Sequence, residues 1–430
     1  MTHASAEVAQ PQSFSPEEYQ RIRKAAYRWN TSAGVLHAGQ SVFMLFVITR
    51  VCDVYTAGVF TIAFAVANLA MNIGWYGMRK FQVSDRYEVF SFREYRMSRV
   101  ATTIAMVAFS IAYIAYTSIT LGYPDEKTFI IFMMCVFKCV DSFEDLYSGG
   151  YQREDRLDIG ARMVTIRQVV TIPAFALALI ASEDLGIALI VTTVFTALFF
   201  VGQVQFVRKR YGLPSLRGSF DWSNVWRLLK ECFPLFAAAF LLFYIGNAPR
   251  YAIDAIMDDT VQAYFGYVSM PVFVVTMLAS FVYNPMITEL TDQWHAGKRD
   301  AFLMRFGKVS VIVFGITAVC VFGAWLIGIP VLNVLYNTDV APYLFELLIL
   351  VTGGGFLALI TLATVGITII RFQRILVPLF LLLTVFAYFC SNWAVTVGGI
   401  TGAAWAYFGI MGVGTLVFTA AFLFGSRIQQ

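Results

Sequence analysis

The sequence predicts an all-α polytopic membrane protein: 12 transmembrane helices in two six-helix bundles around a central cavity, with both termini cytoplasmic. Three observations carry this. The 430 residues are 59% hydrophobic and only 13% charged, against about 25% charged in soluble domains. The apolar residues gather in repeated runs, each able to cross a hydrocarbon core of about 30 Å at about 1.5 Å per residue. The basic residues alternate in density from one connecting stretch to the next. The alternating segments of about ten residues that mark a membrane barrel are absent.

Residues 1–13 read as a disordered tail. Ser15-Pro16-Glu17-Glu18 is a capping box with proline at the first helical position. The helix it opens carries Ile22, Ala25, Ala26 and Trp29 among Arg21, Arg23, Lys24 and Arg28, a pattern that suits a short helix on the membrane surface. The first 30 residues hold no apolar signal-peptide core, so the first membrane helix is expected to target the chain as well. The spans expected are 31–51, 57–77, 99–121, 128–148, 159–181, 185–206, 228–249, 261–284, 308–328, 342–368, 374–396 and 400–424. The organisation is therefore a tail and interfacial helix (1–30), an N-terminal bundle (31–206), a cytoplasmic linker (207–227), a C-terminal bundle (228–424) and a short tail (425–430).

With the N-terminus inside, the inner stretches hold 27 of the 31 Lys and Arg residues. Only Arg50, Lys127 and Arg250 fall outside, and Lys138 lies within a span. A missed or extra helix would reverse this alternation downstream, and it never reverses. The outer loops are very short, and the longest inner stretches, about 78–98 and 207–227, are too small for a catalytic domain. Ser91-x-x-Glu94 in the first reads as the cap of a small interfacial helix. Trp222 and Trp226 read as interface anchors.

The linker divides six spans from six. Ile48-Thr49-Arg50-Val51-Cys52-Asp53 closes the first span, and Asn247-Ala-Pro-Arg-Tyr-Ala-Ile-Asp254 closes the seventh. These read as equivalent ends of two parallel half-repeats, with Arg50 and Arg250 facing each other across a pseudo-twofold axis along the membrane normal.

Ionisable groups at membrane depth are costly, at least about 2.5 kcal/mol each, and so mark function. Lys138, Asp141, Glu144 and Asp145 crowd the fourth span, and Lys138, Asp141, Asp145, Ser148 and Gln152 share one helical face. That face either looks into a wet cavity or holds a structural Lys138–Asp141 pair. Arg50 and Arg250 either bind an anion or form a gate, or else anchor the outer interface. Asp254, four residues after Arg250, is placed to hold it in a gate pair. Arg79, Arg153, Arg162 and Arg167 lie near inner span ends, as topological charge or as receivers of a phosphate from that side. His37 either couples transport to protons or packs in the bundle. Gly353-Gly354-Gly355 and Pro173, Pro271 and Pro378 read as hinges or as close helix contacts.

Cys135 and Cys139 lie one turn apart without accompanying histidines and read as small core residues, so no metal site is expected. No phosphate-binding glycine loop, zinc-binding histidine pair or nucleophile elbow appears, so no enzyme and no cofactor are expected. The basic loops are topological and do not imply nucleic acid.

With this topology and the seventh-span ending Asn247–Asp254, the chain resembles the polysaccharide (Wzx-type) flippases of the multidrug/oligosaccharidyl-lipid/polysaccharide exporter superfamily. Tyr76-Gly77-Met78-Arg79-Lys80-Phe81-Gln82-Val83-Ser84-Asp85 and Gly149-Gly150-Tyr151-Gln152-Arg153 also resemble that family. The resemblance implies a cell-membrane protein that moves an undecaprenyl-diphosphate-linked oligosaccharide from the inner to the outer leaflet by alternating access. It also implies the lipid bilayer and other polysaccharide-assembly membrane proteins as partners. Substrate contact is then expected at Arg50, Arg250, Lys138, Asp141, Asp145, Arg79 and Arg153, and gating or coupling at Asp254, Glu144 and His37. Coupling to H⁺ or Na⁺ has no diagnostic residue. The alternatives are a multidrug or cation antiporter on the same fold, a membrane glycosyltransferase or polymerase, and a nontransporting assembly scaffold.

Overall fold

The computed structural model describes residues 15–85, 89–212 and 220–428. The expected tail at 1–13 and the middle of the linker, 213–219, lie outside the described residues. The elements are α1 (Pro16–Val51), α2 (Val54–Trp75), the short α3 (Met78–Ser84), α4 (Phe92–Leu121), α5 (Asp125–Arg153), α6 (Leu157–Ser182) and α7 (Leu185–Tyr211), then α8 (Trp222–Ile256), α9 (Asp259–Ser269), α10 (Val272–His295), α11 (Arg299–Gly323), α12 (Ile329–Tyr336), α13 (Leu344–Ile369) and α14 (Leu376–Ile428). A π-helical turn, Ala324–Gly328, joins α11 to α12. No strand occurs among the described residues. Among the described residues ten helices are long and apolar enough to cross a membrane, and the protein is a multi-pass membrane protein.

Local chemistry explains the element boundaries. Asp53, Asp184 and Asp258 each cap a helix start by accepting a backbone N–H three residues on. Ser91 and Glu94 form a reciprocal capping box. That box opens the 30-residue α4 itself, not a separate interfacial helix. Likewise the basic segment after Ser15 is no separate surface helix. Nothing between Trp29 and Ser32 breaks the backbone, so it runs into the first span as one 36-residue α1. Gly122 and Gly212 end α4 and α7 in the left-handed conformation. Gly399, at φ 54° and ψ −132°, breaks α14 where only glycine is unstrained.

Helices α1–α7 pack chiefly on one another, α1 on α6 and α2 on α4 and α5. Helices α8–α14 do likewise, with α14 against both α8 and α13 and α10 against α11 and α13. The two groups meet where α2 packs on α8 and α9, α4 on α8, and the end of α1 on α12. Gly58 makes the α2–α9 contact possible: a Cβ there would lie 1.7 Å from the Asp259 carbonyl oxygen. The three glycines of α13 serve close contact as well. Cβ atoms at Gly353 and Gly355 would collide with Tyr407 and Thr317, and the helix continues through them. Pro271 does interrupt, separating α9 from α10. Outward faces carry exposed Ile104, Leu177, Val319 and Trp393, as expected where the solvent is lipid.

Candidate functional site

A cavity of about 540 Å³ lies between the two helix groups. Its walls come from α1, α2, α8, α9, α10, α13 and α14. Polar groups on the wall include His37, Asn68, Asn72, Asn247, Ser269 and Arg250; the rest is largely aromatic and aliphatic. Such a concave, mainly apolar space with a few convergent polar groups is the usual form of a small-molecule site.

Of the substrate, gate and coupling residues expected from sequence, only Arg250 and His37 line this cavity. Arg250 donates to Asn247 Oδ1 at 3.1 Å and to Ser269 Oγ at 2.7 Å, and its Nε has no partner. Among the described residues no carboxylate pairs with it. The expected Arg250–Asp254 gate pair is not made. Asp254 turns to the other helix group, where it receives Lys127 Nζ at 2.8 Å and the Tyr123 hydroxyl. Lys127 also reaches Asp259 at 2.7 Å. Burial, with Asp254 alongside, pushes the Tyr123 hydroxyl well above its ordinary range, so it stays a donor. Lys127 of α5 thus ties the end of α8 to the start of α9 across the boundary between the groups.

Arg50 is exposed and outside the cavity. Its guanidinium donates to the Phe46, Leu335 and Val334 carbonyls at 2.9, 2.8 and 2.6 Å. It caps the C-terminal carbonyls of α12 from α1, where a cation also meets the negative end of the helix dipole. Arg50 and Arg250 are not structural equivalents. Asp53 and Asp258 are matching caps, yet Arg50 lies two residues before its C-cap Cys52 and Arg250 seven before Met257. Counted from these caps, Arg250 lies five residues, more than a helical turn, further back than Arg50.

The charged face of α5 forms a closed network. Lys138 Nζ reaches Asp141 at 2.9 Å and Gln40 Oε1 at 2.6 Å. Arg167 of α6 reaches Asp141 at 2.5 Å and both oxygens of Glu144 at 2.8 and 2.6 Å. All five side chains are buried, none more than 4% exposed. Two cations thus face two carboxylates inside the first helix group, which is the locked arrangement and not a cavity lining. His37 lies beside it, with Nδ1 3.5 Å from Gln168 Nε2. Asp145 pairs with Arg99 at 2.8 Å and Arg79 at 3.5 Å. Arg153 reaches the Phe90 carbonyl at 3.3 Å and Glu154 at 3.9 Å. Sequence reasoning missed Lys127 as a joint, Arg167 as the centre of the network, and Asn68 and Asn72 on the cavity wall. The asparagines, i and i+4 in an otherwise apolar α2, were the available signal. Among the described residues no three His, Cys, Asp or Glu side chains gather as a metal would require.

No family model and no curated protein matches the chain. Solved structures do. The lipid II flippase MurJ, in an inward closed conformation, aligns over 95% of this chain and 90% of its own, with TM-score 0.68 and 12% identity. The MATE multidrug transporter DinF-BH aligns over 98% of each chain, with TM-score 0.60 and 13% identity. A Vibrio cholerae MATE transporter, VcmN, aligns over 95% of this chain and 97% of its own at TM-score 0.56 and 12% identity. The fold is that of these transporters. It is shared by a lipid flippase and by multidrug transporters, so the cargo has to be argued from the cavity.

Proposed function

We propose that the chain is a flippase for a lipid carrying an anionic, sugar-bearing headgroup, of the undecaprenyl-diphosphate-linked oligosaccharide class, working from the inner to the outer leaflet of the cell membrane. The observation that carries this reading is Arg250: a guanidinium on the wall of the cavity between the two helix groups, with no acidic partner among the described residues. An arginine half-buried at membrane depth without a carboxylate is a functional-site signal. A phosphate oxygen pair suits the fork geometry of arginine. On this reading the chain crosses the membrane twelve times with both termini inside. To the ten apolar helices it adds α5, 29 residues long but charged, and counts α14 twice across Gly399. The two groups of helices then rock about the cavity. Lys127 with Asp254 and Asp259, and Arg50 with α12, close its outer end in this state. Helices α1 and α10 both line the cavity and scarcely touch; on this reading the lipid tail passes between them.

The second reading is a multidrug antiporter, favoured by the aromatic wall around Phe64, Phe243 and Tyr407 and by the MATE neighbours. Arg250 weighs against a cationic cargo. Reconstitution in proteoliposomes separates the two, measuring flipping of a fluorescent lipid-diphosphate sugar beside uptake of a cationic dye. The flippase reading expects sugar-lipid flipping that falls at least tenfold in Arg250→Gln. Dye transport without lipid flipping, or a fully active Arg250→Gln, would sink it.

A further inference from the structure

The polar groups of the cavity wall are sorted by kind. Ser41, Thr61, Ser269, Thr276 and Thr361 all line it, and each hydroxyl donates its proton back into the protein: to Met270 Sδ, and to the carbonyls of Ala57, Gly266, Phe273 and Leu357. Asn68 and Asn72 do the same with their amides. Asn68 Nδ2 donates to the Phe64 carbonyl and Asn72 Nδ2 to the Asn68 carbonyl, both at 2.8 Å. Their Oδ1 atoms accept nothing from any described residue. What α2 offers the cavity is therefore an acceptor edge, on a wall it shares with the guanidinium of α8. An acceptor without a donor is costly once dry, and a carbonyl oxygen cannot serve an anion.

One contact ties α2 to α8 beside these groups. Tyr251, the neighbour of Arg250, donates its hydroxyl to the Ala65 carbonyl of α2 at 3.3 Å. Asn68 lies three residues and Asn72 seven residues beyond Ala65, so about 4.5 and 10.5 Å along the helix. The two amides therefore stand about 6 Å apart along α2, a spacing that two neighbouring sugar units can meet.

From this we infer that Asn68 and Asn72 form the sugar-reading edge of the cavity, accepting hydroxyl protons from the first two sugar units of a headgroup whose phosphate lies at Arg250. The inference rests on the flippase reading and adds to it a donor-specific subsite. It makes the cavity selective for free hydroxyls over the same shape without them, since a site built to hydrogen-bond an OH rejects an analogue lacking it.

Calorimetry on the purified full chain with three probes tests this: farnesyl diphosphate, farnesyl diphosphoglucose, and the latter with every glucose hydroxyl O-methylated. The wild-type chain should bind the glucose probe about tenfold more tightly than farnesyl diphosphate, and the methylated probe no more tightly than farnesyl diphosphate. Asn68→Leu with Asn72→Leu should erase the glucose preference while farnesyl diphosphate still binds within about twofold, which also reports that the variant is folded. A methylated probe that binds like the glucose probe overturns the inference, whatever the variants do. So does a glucose preference that survives the double substitution. Binding of none of the three probes to the wild-type chain would instead remove the lipid-diphosphate reading beneath it.

Discussion

Replacing Arg167 by methionine tests the buried network of the first helix group. Methionine keeps much of the volume and removes the charge together with three hydrogen bonds, two to Glu144 and one to Asp141. The two carboxylates do not suffer equally. Asp141 keeps Lys138 at 2.9 Å, whereas Glu144 has no other cation among the described residues and is 4% exposed. The cost is therefore that of one stranded buried carboxylate, about 3–5 kcal/mol, or a fall in thermal midpoint on the order of 5 °C for a chain of this size. Adding Glu144→Leu removes the stranded charge and leaves the balanced Lys138–Asp141 pair. The double variant should recover most of the loss even though it restores none of the lost hydrogen bonds. Thermal unfolding in one detergent, followed by tryptophan fluorescence and size exclusion, measures both. A single variant within about 1 °C of wild type would refute the argument, and so would a double variant less stable than Arg167→Met.

Three further substitutions test the joint between the groups and the helix break. In a chain carrying Ala65→Cys on the cavity wall, Lys127→Met should raise labelling by an impermeant maleimide from outside several-fold, because Asp254 and Asp259 lose their shared cation; unchanged labelling would show that the joint does not close the cavity. Gly58→Ala puts a methyl group into the Asp259 carbonyl and should have the same effect on labelling, or lower the thermal midpoint if α2 and α9 cannot part. Gly399→Ala forces a Cβ into a glycine-only backbone conformation and should cost about 1–3 kcal/mol of stability, read as a lower thermal midpoint. Asp53 gives a pH test: its hydrogen bonds with Thr56 hold its carboxyl below the ordinary value, so its capping contribution of about 1 kcal/mol is present at neutral pH and lost as pH falls through the carboxylate range. Asp53→Ala should therefore narrow the stability gap to wild type in acid, and a gap that does not change with pH would count against the cap.

The helices were legible in the sequence because their causes are local. Apolar length, a capping aspartate or serine at the start and a left-handed residue at the end are all written within a few positions of one another. What the sequence misplaced was register and partnership. Arg50 and Arg250 read as a matched pair because each ends an apolar run in a basic residue. Counted from the matching caps Asp53 and Asp258, the two arginines differ by five residues. That difference separates a cation spent on the carbonyls of α12 from one left open in the cavity. The face of α5 was legible as charged, yet whether it would be wet depended on Arg167, a residue on another helix that the charge count had assigned to the inner surface. Lys127 shows the same limit most clearly. It reads in the sequence as one of three outer basic residues, and nothing near it in sequence announces Asp254 and Asp259, well over a hundred positions on. A residue that joins two halves of a chain has half of its meaning in the other half. Its role follows from the partner, and here the partner makes Lys127 a joint between the two helix groups and leaves Arg250 without an acidic partner among the described residues.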